Sequence, residues 1–288
     1  MRYFLVAALI PGAIHAQTGT DIYLAGVSRS GDAIAIGAPT NVTERAGYDN
    51  QPSFTPDGRM ILFTSIREDG QADTYRYDVE HRSIARVTHT AESEYSPTVM
   101  PGGTHFSVIQ VEADSTQRLW KFRLDGSAPE LVLTDVKPVG YHAWVDAHTL
   151  GLFVLGNPST LQIADTRTGA AEVAARNIGR SLHKVPGEAA ISFLHQTGPE
   201  PYSIKAIDAQ SRTVRQVAPA LPGNEYYAWL PDGTPIMGTG SKLSVWAEDA
   251  RRWVEIADLA ESGVTEISRL AVSPDGRTIA IVADDSER

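Results

Sequence analysis

Two kinds of apolar pattern alternate along the chain. In the first, apolar and polar residues largely alternate and the run ends in aspartate: Thr74–Asp78 (TYRYD), Leu119–Asp125 (LWKFRLD), Leu161–Asp165 (LQIAD) and Ser203–Asp208 (SIKAID). Period-two runs of this kind are strands with one packed face, and a short polar side chain at the exit begins a turn. In the second, two apolar runs flank a Pro-Asp-Gly tripeptide. Pro52–Arg59 (PSFTPDGR) leads into Met60–Phe63 (MILF), and the arrangement returns as Leu270–Arg277 (LAVSPDGR) leading into Ile279–Val282 (IAIV). Proline presets its φ, aspartate bonds the backbone two residues on, and glycine takes positive φ at no steric cost, so each copy predicts two strands joined by a hairpin.

Weaker copies lie at Pro97–Gly103, His142–His148, Leu182–Glu188 and Tyr227–Gly233, which puts the turn anchors at residues 56, 101, 146, 186, 231 and 274. Spacings of 40 to 45 residues are those of four-stranded propeller blades. The short runs Arg86–Thr88, Leu131–Thr134 and Val254–Ile256 supply fourth strands, and no stretch carries a sustained helical stripe. The last copy stops after its second strand, and its complement stands at the other end of the chain. Asp21–Leu24 fits the third-strand pattern, and Ala33–Ile36 through Asn41–Thr43 fits the fourth. The pattern therefore predicts an all-β, six-bladed β-propeller of four-stranded antiparallel blades, closed by N-terminal strands that complete the last blade and remove the open sheet edges. Ahead of it, Arg2, the apolar run Tyr3–Ile10, the Pro11-Gly12 break and the small Ala16 read as a signal peptide over residues 1–16. Residues 17–288 are then the propeller of an exported, periplasmic or secreted, protein.

Composition narrows the partners. The 288 residues carry a formal charge of −10 and no cysteine. An acidic chain without a Lys/Arg cluster lacks the basic face that nucleic acid requires, so none is expected. Disulfides, thiolate metal sites and thiol nucleophiles are excluded outright. No second run has the eighteen or so apolar residues of a spanning helix, so membrane insertion is not expected either. The propeller is expected to be a monomer.

Motifs for catalysis are sparse. There is no Gly-x-Ser-x-Gly elbow, and Ser181–Lys184, which fits Ser-x-x-Lys, falls on an inner strand where alternate residues face opposite ways. Gly238–Lys242 lacks the spacing of a phosphate loop. No histidine pair has metal-ligating spacing, so no metal or cofactor is expected, and His142 and His183 read as structural. The recurring Asp78, Asp125, Asp165 and Asp208 are turn formers.

The hairpin PSFTPDGR, the strand Ile61–Ser65, the connection Asp69-Gly70 to Asp73-Thr74-Tyr75 and the strand end Val87-Thr88 resemble the WD-like repeat of the TolB propeller family. The resemblance runs from about Asp21 to Ala283, without the N-terminal α/β domain of TolB. It implies a fold more than a function, because such blades serve periplasmic scaffolds, lyases and the gating domains of oligopeptidases. The copies diverge where each inner strand begins, which in a propeller is the mouth of the central channel. That column contains Asp49, Asn50, Glu94, Tyr95, Tyr141, His142, Arg180, Glu225, Tyr226 and Arg269. Binding groups concentrate on loops of rigid scaffolds, and tyrosines among mixed charges suit protein or peptide recognition. The expected function is a non-catalytic binding scaffold for an envelope or periplasmic protein or peptide. The alternative is a channel-centred lyase or hydrolase acting on sugar or peptide, with a metal held by His142 and its neighbours.

Overall fold

In the computed structural model, which describes residues 19–31, 33–198 and 202–284, strands account for nearly all regular structure. The expected signal peptide lies outside the described residues. A single 3₁₀ turn, Ala260–Ser262, is the helical content among them, and no helix there is long and apolar enough to cross a membrane.

The chain opens with a long strand, β1 (Thr20–Ser30), followed by β2 (Ala33–Ile36) and β3 (Thr40–Asn41). Five antiparallel meanders follow. The first is β4 (Tyr48–Phe54), β5 (Met60–Ile66), β6 (Ala72–Asp78) and β7 (Ser83–Arg86); the second is β8 (Ser93–Val99), β9 (His105–Val111), β10 (Gln117–Arg123) and β11 (Glu130–Leu131). The third is β12 (Val139–Trp144), β13 (Thr149–Val154), β14 (Thr160–Asp165) and β15 (Ala170–Arg176). The fourth is β16 (Ile178–Lys184), β17 (Ala190–His195), β18 (Ser203–Asp208) and β19 (Val214–Pro219); the fifth is β20 (Tyr227–Trp229), β21 (Pro235–Thr239), β22 (Lys242–Ala247) and β23 (Arg252–Asp258). The chain then adds only two more strands, β24 (Arg269–Val272) and β25 (Thr278–Asp284).

These last two strands are completed from the other end of the chain. β25 pairs antiparallel with β1 from Thr20↔Asp284 to Gly26↔Thr278, and β3 pairs with the far edge of β1. The ladder between β1 and β4 is the single parallel bridge Thr20↔Tyr48, so the widest sheet is two meanders joined by one bridge. Beyond Gly26, β1 continues into a hairpin with β2 that reaches over the fifth meander. Ile34 and Ile36 pack there beside Ile256, and Arg29 pairs with Asp232 at 2.5 Å.

The second strands explain why the meanders stack. In β5, Ile61 and Phe63 face the core shared with β1 and β25, while Leu62 faces the core shared with β9 and β10. In β25, Ile279, Ile281 and Ala283 face the fifth meander, and Ala280 and Val282 face the first. A strand buried on both faces reads as a continuous apolar run, as MILF and IAIV do, whereas the third strands alternate. The first strands touch in succession, β4 to β8, β12, β16, β20 and β24, and β24 returns to β4.

Neighbouring meanders also match position by position. At four of the six turn anchors the residue two places before the anchor packs with the residue six places after the anchor of the preceding meander. Where that residue is serine, its partner is tryptophan: the Trp144 indole N–H donates to Ser107 Oγ and that of Trp229 to Ser192 Oγ, both at 2.8 Å. In the other two the pair is apolar and packs without a hydrogen bond, Leu62 with Val99 and Ala280 with Phe54.

Two outcomes follow. A chain ending at Arg277 lacks β25, and its thermal unfolding, followed by circular dichroism, is expected to lose its cooperative transition; a melt as sharp as that of the full chain would show that the β1–β25 pairing is dispensable. Gly126 (φ +82°) and Gly70 (φ +73°) both have left-handed backbone, but a Cβ on Gly126 would lie 2.0 Å from the Val87 carbonyl oxygen, whereas Gly70 has open space. Gly126→Ala is therefore expected to cost about 1–3 kcal/mol more than Gly70→Ala in urea unfolding, the added penalty being that of overpacking.

Candidate functional site

The first strands of the first four meanders begin irregularly. The pairing register slips between Asn50 and Ser53, between Tyr95 and Thr98, between Val139 and Tyr141, and between Ile178 and Leu182. Gln51 (φ 61°) and Ser96 (φ 55°) sit at these slips in left-handed backbone, each followed by a proline that cannot donate to a ladder. Bulges re-aim side chains, and here they turn residues of the inner strands toward a common axis.

The result is a cavity of about 740 Å³ between the inner strands. One end is lined by Gln51, Ser96, Tyr141, Arg180, Tyr226 and Arg269, and the other by the turn prolines Pro56, Pro101, Pro186, Pro231 and Pro274. Gln51, Ser96, Tyr141, Ser181, Tyr226 and Arg269 all stand five places before their turn anchors.

Arg269, on β24, organises the first end. Its Nη2 donates to the hydroxyls of Tyr141 and Tyr226, each at 3.0 Å. Its guanidinium carbon lies 4.0 Å from the ring centre of Tyr226 and 5.0 Å from that of Tyr141, so both rings present their negative faces to the charge. Burial pushes the phenols of Tyr226 and Tyr48 up, with the positive charge of Arg269 working against it, and both remain protonated at neutral pH. Arg180, on the bulged stretch of β16, is exposed, with Tyr226 in side-chain hydrogen-bonding reach and the Glu225 carboxylate acting on its charge from further off.

Of the residues expected at the mouth, Tyr141, Arg180, Tyr226 and Arg269 are thus brought together. Glu225 is beside them and accepts from the Tyr202 hydroxyl at 3.2 Å. Tyr95 packs partly buried against the core between the second and third meanders.

Three others depart from the expectation, because alternate residues of a strand face opposite ways. Asp49 is buried against Arg45 (3.2 Å), and burial raises its carboxyl. Asn50 is buried, its amide donating to Thr20 Oγ1 at 3.2 Å. Glu94 is buried and accepts from the hydroxyls of Thr88 and Thr90, its carboxyl raised by desolvation. His142 is buried with Nε2 2.6 Å from Ser107 Oγ. Ser107 also accepts the Trp144 indole N–H; His142, though buried, is among the residues that line the cavity, and burial keeps its imidazole neutral. Gln51 and Ser96 belong to the same divergent column of the sequence without being singled out as candidates, and Tyr48 lies outside it; the prolines that follow Gln51 and Ser96 were the available signal.

The chemistry open to this wall is limited. Ser181 Oγ lies 2.9 Å from His183 Nε2, but burial, and then the charge of Arg269, hold that imidazole down at about 4. Such a histidine does not hold a proton taken from serine near neutral pH. Among the described residues, no group of three or more His, Asp or Glu side chains converges as a metal site.

No family model matches the chain. A curated relative, uncharacterized protein Atu1656 of Agrobacterium fabrum, is 33% identical over 81 residues, which span 28% of this chain and 27% of the length of that relative. Among solved structures, a protein of Agrobacterium tumefaciens assigned as TolB superposes with a TM-score of 0.71 at 14% identity, covering 93% of this chain and 99% of that one. TolB from Acinetobacter baumannii gives 0.60 at 14% identity over 95% of this chain and 65% of that one. An oligogalacturonate lyase in complex with manganese gives 0.55 at 15% identity over 91% and 78%. These likenesses establish the fold, a β-propeller. Within that class the fold is TolB-like.

The buried imidazole makes stability depend on pH. Desolvation lowers His142 from its ordinary 6.5 to about 3, so below pH 6.5 the unfolded chain binds a proton that the folded chain refuses. Stability is expected to fall as the pH drops through that window, with His142 contributing about 1.4 kcal/mol per pH unit. Urea titrations from pH 6.5 to 4 on wild type and His142→Gln should show the slope reduced by that amount in the variant.

Proposed function

We propose that the chain is an exported propeller of six four-stranded blades, closed by β1 on β25, that acts as a non-catalytic scaffold and captures an envelope or periplasmic protein at its channel mouth. The closing pair Thr20–Gly26 with Thr278–Asp284 and the return of β24 to β4 support the ring. The observation that carries the functional reading is the assembly of Tyr141, Arg180, Tyr226 and Arg269. These side chains come from four meanders, repeat no scaffold pattern, and include the tyrosine and arginine types that dominate protein-recognition hot spots.

A lyase shares this fold, which keeps the channel-centred enzyme as the second reading. Its metal-dependent form is disfavoured by the donor set, because His142 is bonded to Ser107 between two meanders.

The test is affinity capture from envelope extract with mass spectrometry. Arg180→Glu combined with Tyr226→Ala is expected to weaken capture of a specific partner at least about thirtyfold, as loss of a hot spot does, without lowering the melting temperature. Unchanged capture overturns the site. Turnover of a uronide or peptide by the wild type, lost in the same variant, would favour the enzyme.

A further inference from the structure

The channel wall is charged in the opposite sense to the chain. The protein carries −10 overall, yet the described residues lining the cavity include Arg180, Lys184 and Arg269 and no Asp or Glu. None of the three lies within ion-pair distance of a carboxylate among the described residues. Glu225, which acts on Arg180 from further off, is bonded to Tyr202. Enclosing cations without counter-charge is costly, and a cleft of one sign with low-dielectric walls concentrates ions of the other. His142 and His183 add no charge, because burial keeps both neutral across the physiological range.

Hydrogen-bond donors point the same way. The hydroxyl oxygens of Tyr141 and Tyr226 both accept from Arg269. At most one of their two hydrogens can be spent on the other phenol, which leaves an O–H donor beside the guanidinium. The cations are also spread along the wall. Arg180 and Lys184 are four residues apart on β16, about 13 Å at a strand's rise, and Arg269 aligns with Ser181 between them.

Resting on the partner-binding reading, we propose that the channel takes an extended acidic peptide segment of the partner, whose successive carboxylates meet Arg180, Arg269 and Lys184. An acidic sugar chain fits less well, since sugar rings seek open aromatic faces. At the mouth Arg269 covers those of Tyr141 and Tyr226; of the other aromatic residues that line the cavity, Trp144 and Tyr227 are buried and Phe54 and Trp229 partly so.

The experiment uses isothermal titration of the whole protein with acetylated, amidated hexaglutamate, and with hexaglutamine, glutarate and trigalacturonate as comparison probes. Hexaglutamate is expected to bind and hexaglutamine not. Arg180→Gln and Arg269→Gln should each weaken binding about tenfold or more, as should raising salt from about 50 to 500 mM. If Arg269→Gln does not fold, the exposed Arg180→Gln and Lys184→Gln decide. Absence of hexaglutamate binding, equal binding of hexaglutamine, or indifference to Arg180→Gln overturns the proposal. Tighter binding of trigalacturonate or glutarate overturns it in favour of an acidic sugar or a small diacid. If hexaglutamate fails while Arg180→Glu/Tyr226→Ala still abolishes envelope capture, the scaffold stands and the acidic segment falls. If hexaglutamate binds and nothing is captured, the channel site stands and the scaffold falls.

Discussion

A sheet whose second strand is apolar on both faces cannot stand alone, and most of this architecture follows from that constraint. Phe63 and Leu62 are neighbours in sequence, are both fully buried, and belong to different cores. Ile281 and Val282 repeat the situation at the other end of the chain. Each core is thus shared by consecutive meanders and owned by neither, so removing one exposes apolar surface on two others. With no cysteine to staple the fold, this sharing is what holds it, and the long pairing of β1 with β25 supplies the contact that sequence neighbours supply elsewhere.

Sharing a core imposes complementarity at a distance of about one repeat. Trp144 and Trp229 are bulky groups with one polar atom each, and each occurs where the preceding meander offers a serine rather than a second bulky side chain. The small residue makes room for the ring, and its hydroxyl accepts an indole N–H that would otherwise be buried unpaired. Where the preceding position is Leu62, the partner is the smaller Val99. Where it is Ala280, the partner is Phe54. The repeat is degenerate in sequence because volume is conserved over pairs of residues rather than at single positions.

This explains what could be read before the structure and what could not. Pro-Asp-Gly turns and period-two runs act locally, so the hairpins, the strand types and the half-built last unit were legible from residues 52–59, 270–277 and 21–24. The facing of individual side chains at the channel mouth was not. A one-residue slip sends a side chain to the opposite face, and four inner strands slip within the very residues in question. Asp49, Asn50 and Glu94 accordingly turned into the packing, while Gln51 and Ser96 stand at the channel wall. Pro52 and Pro97 marked two of the slips. Gly140 and Gly179, directly before Tyr141 and Arg180, mark the other two, but where those side chains come to lie depends on long-range pairing with β13 and β17.

The electrostatic character of the wall rests on Arg269, which stands on the regularly paired β24. Arg269 is enclosed by strands of several meanders and finds no carboxylate there; its partners are two phenol oxygens and two ring faces. Tyrosine suits this position because it supplies an acceptor and a quadrupole without carrying charge, and burial, by raising the phenol, keeps it uncharged. The guanidinium is therefore held in place without being neutralised. A carboxylate in the same position would have fixed Arg269 equally well and cancelled its field, leaving nothing to attract a ligand. Solvation by tyrosine keeps both the geometry and the charge. Because Tyr141, Tyr226 and Arg269 belong to separate meanders, that geometry is only as firm as the shared cores that set the meanders against one another.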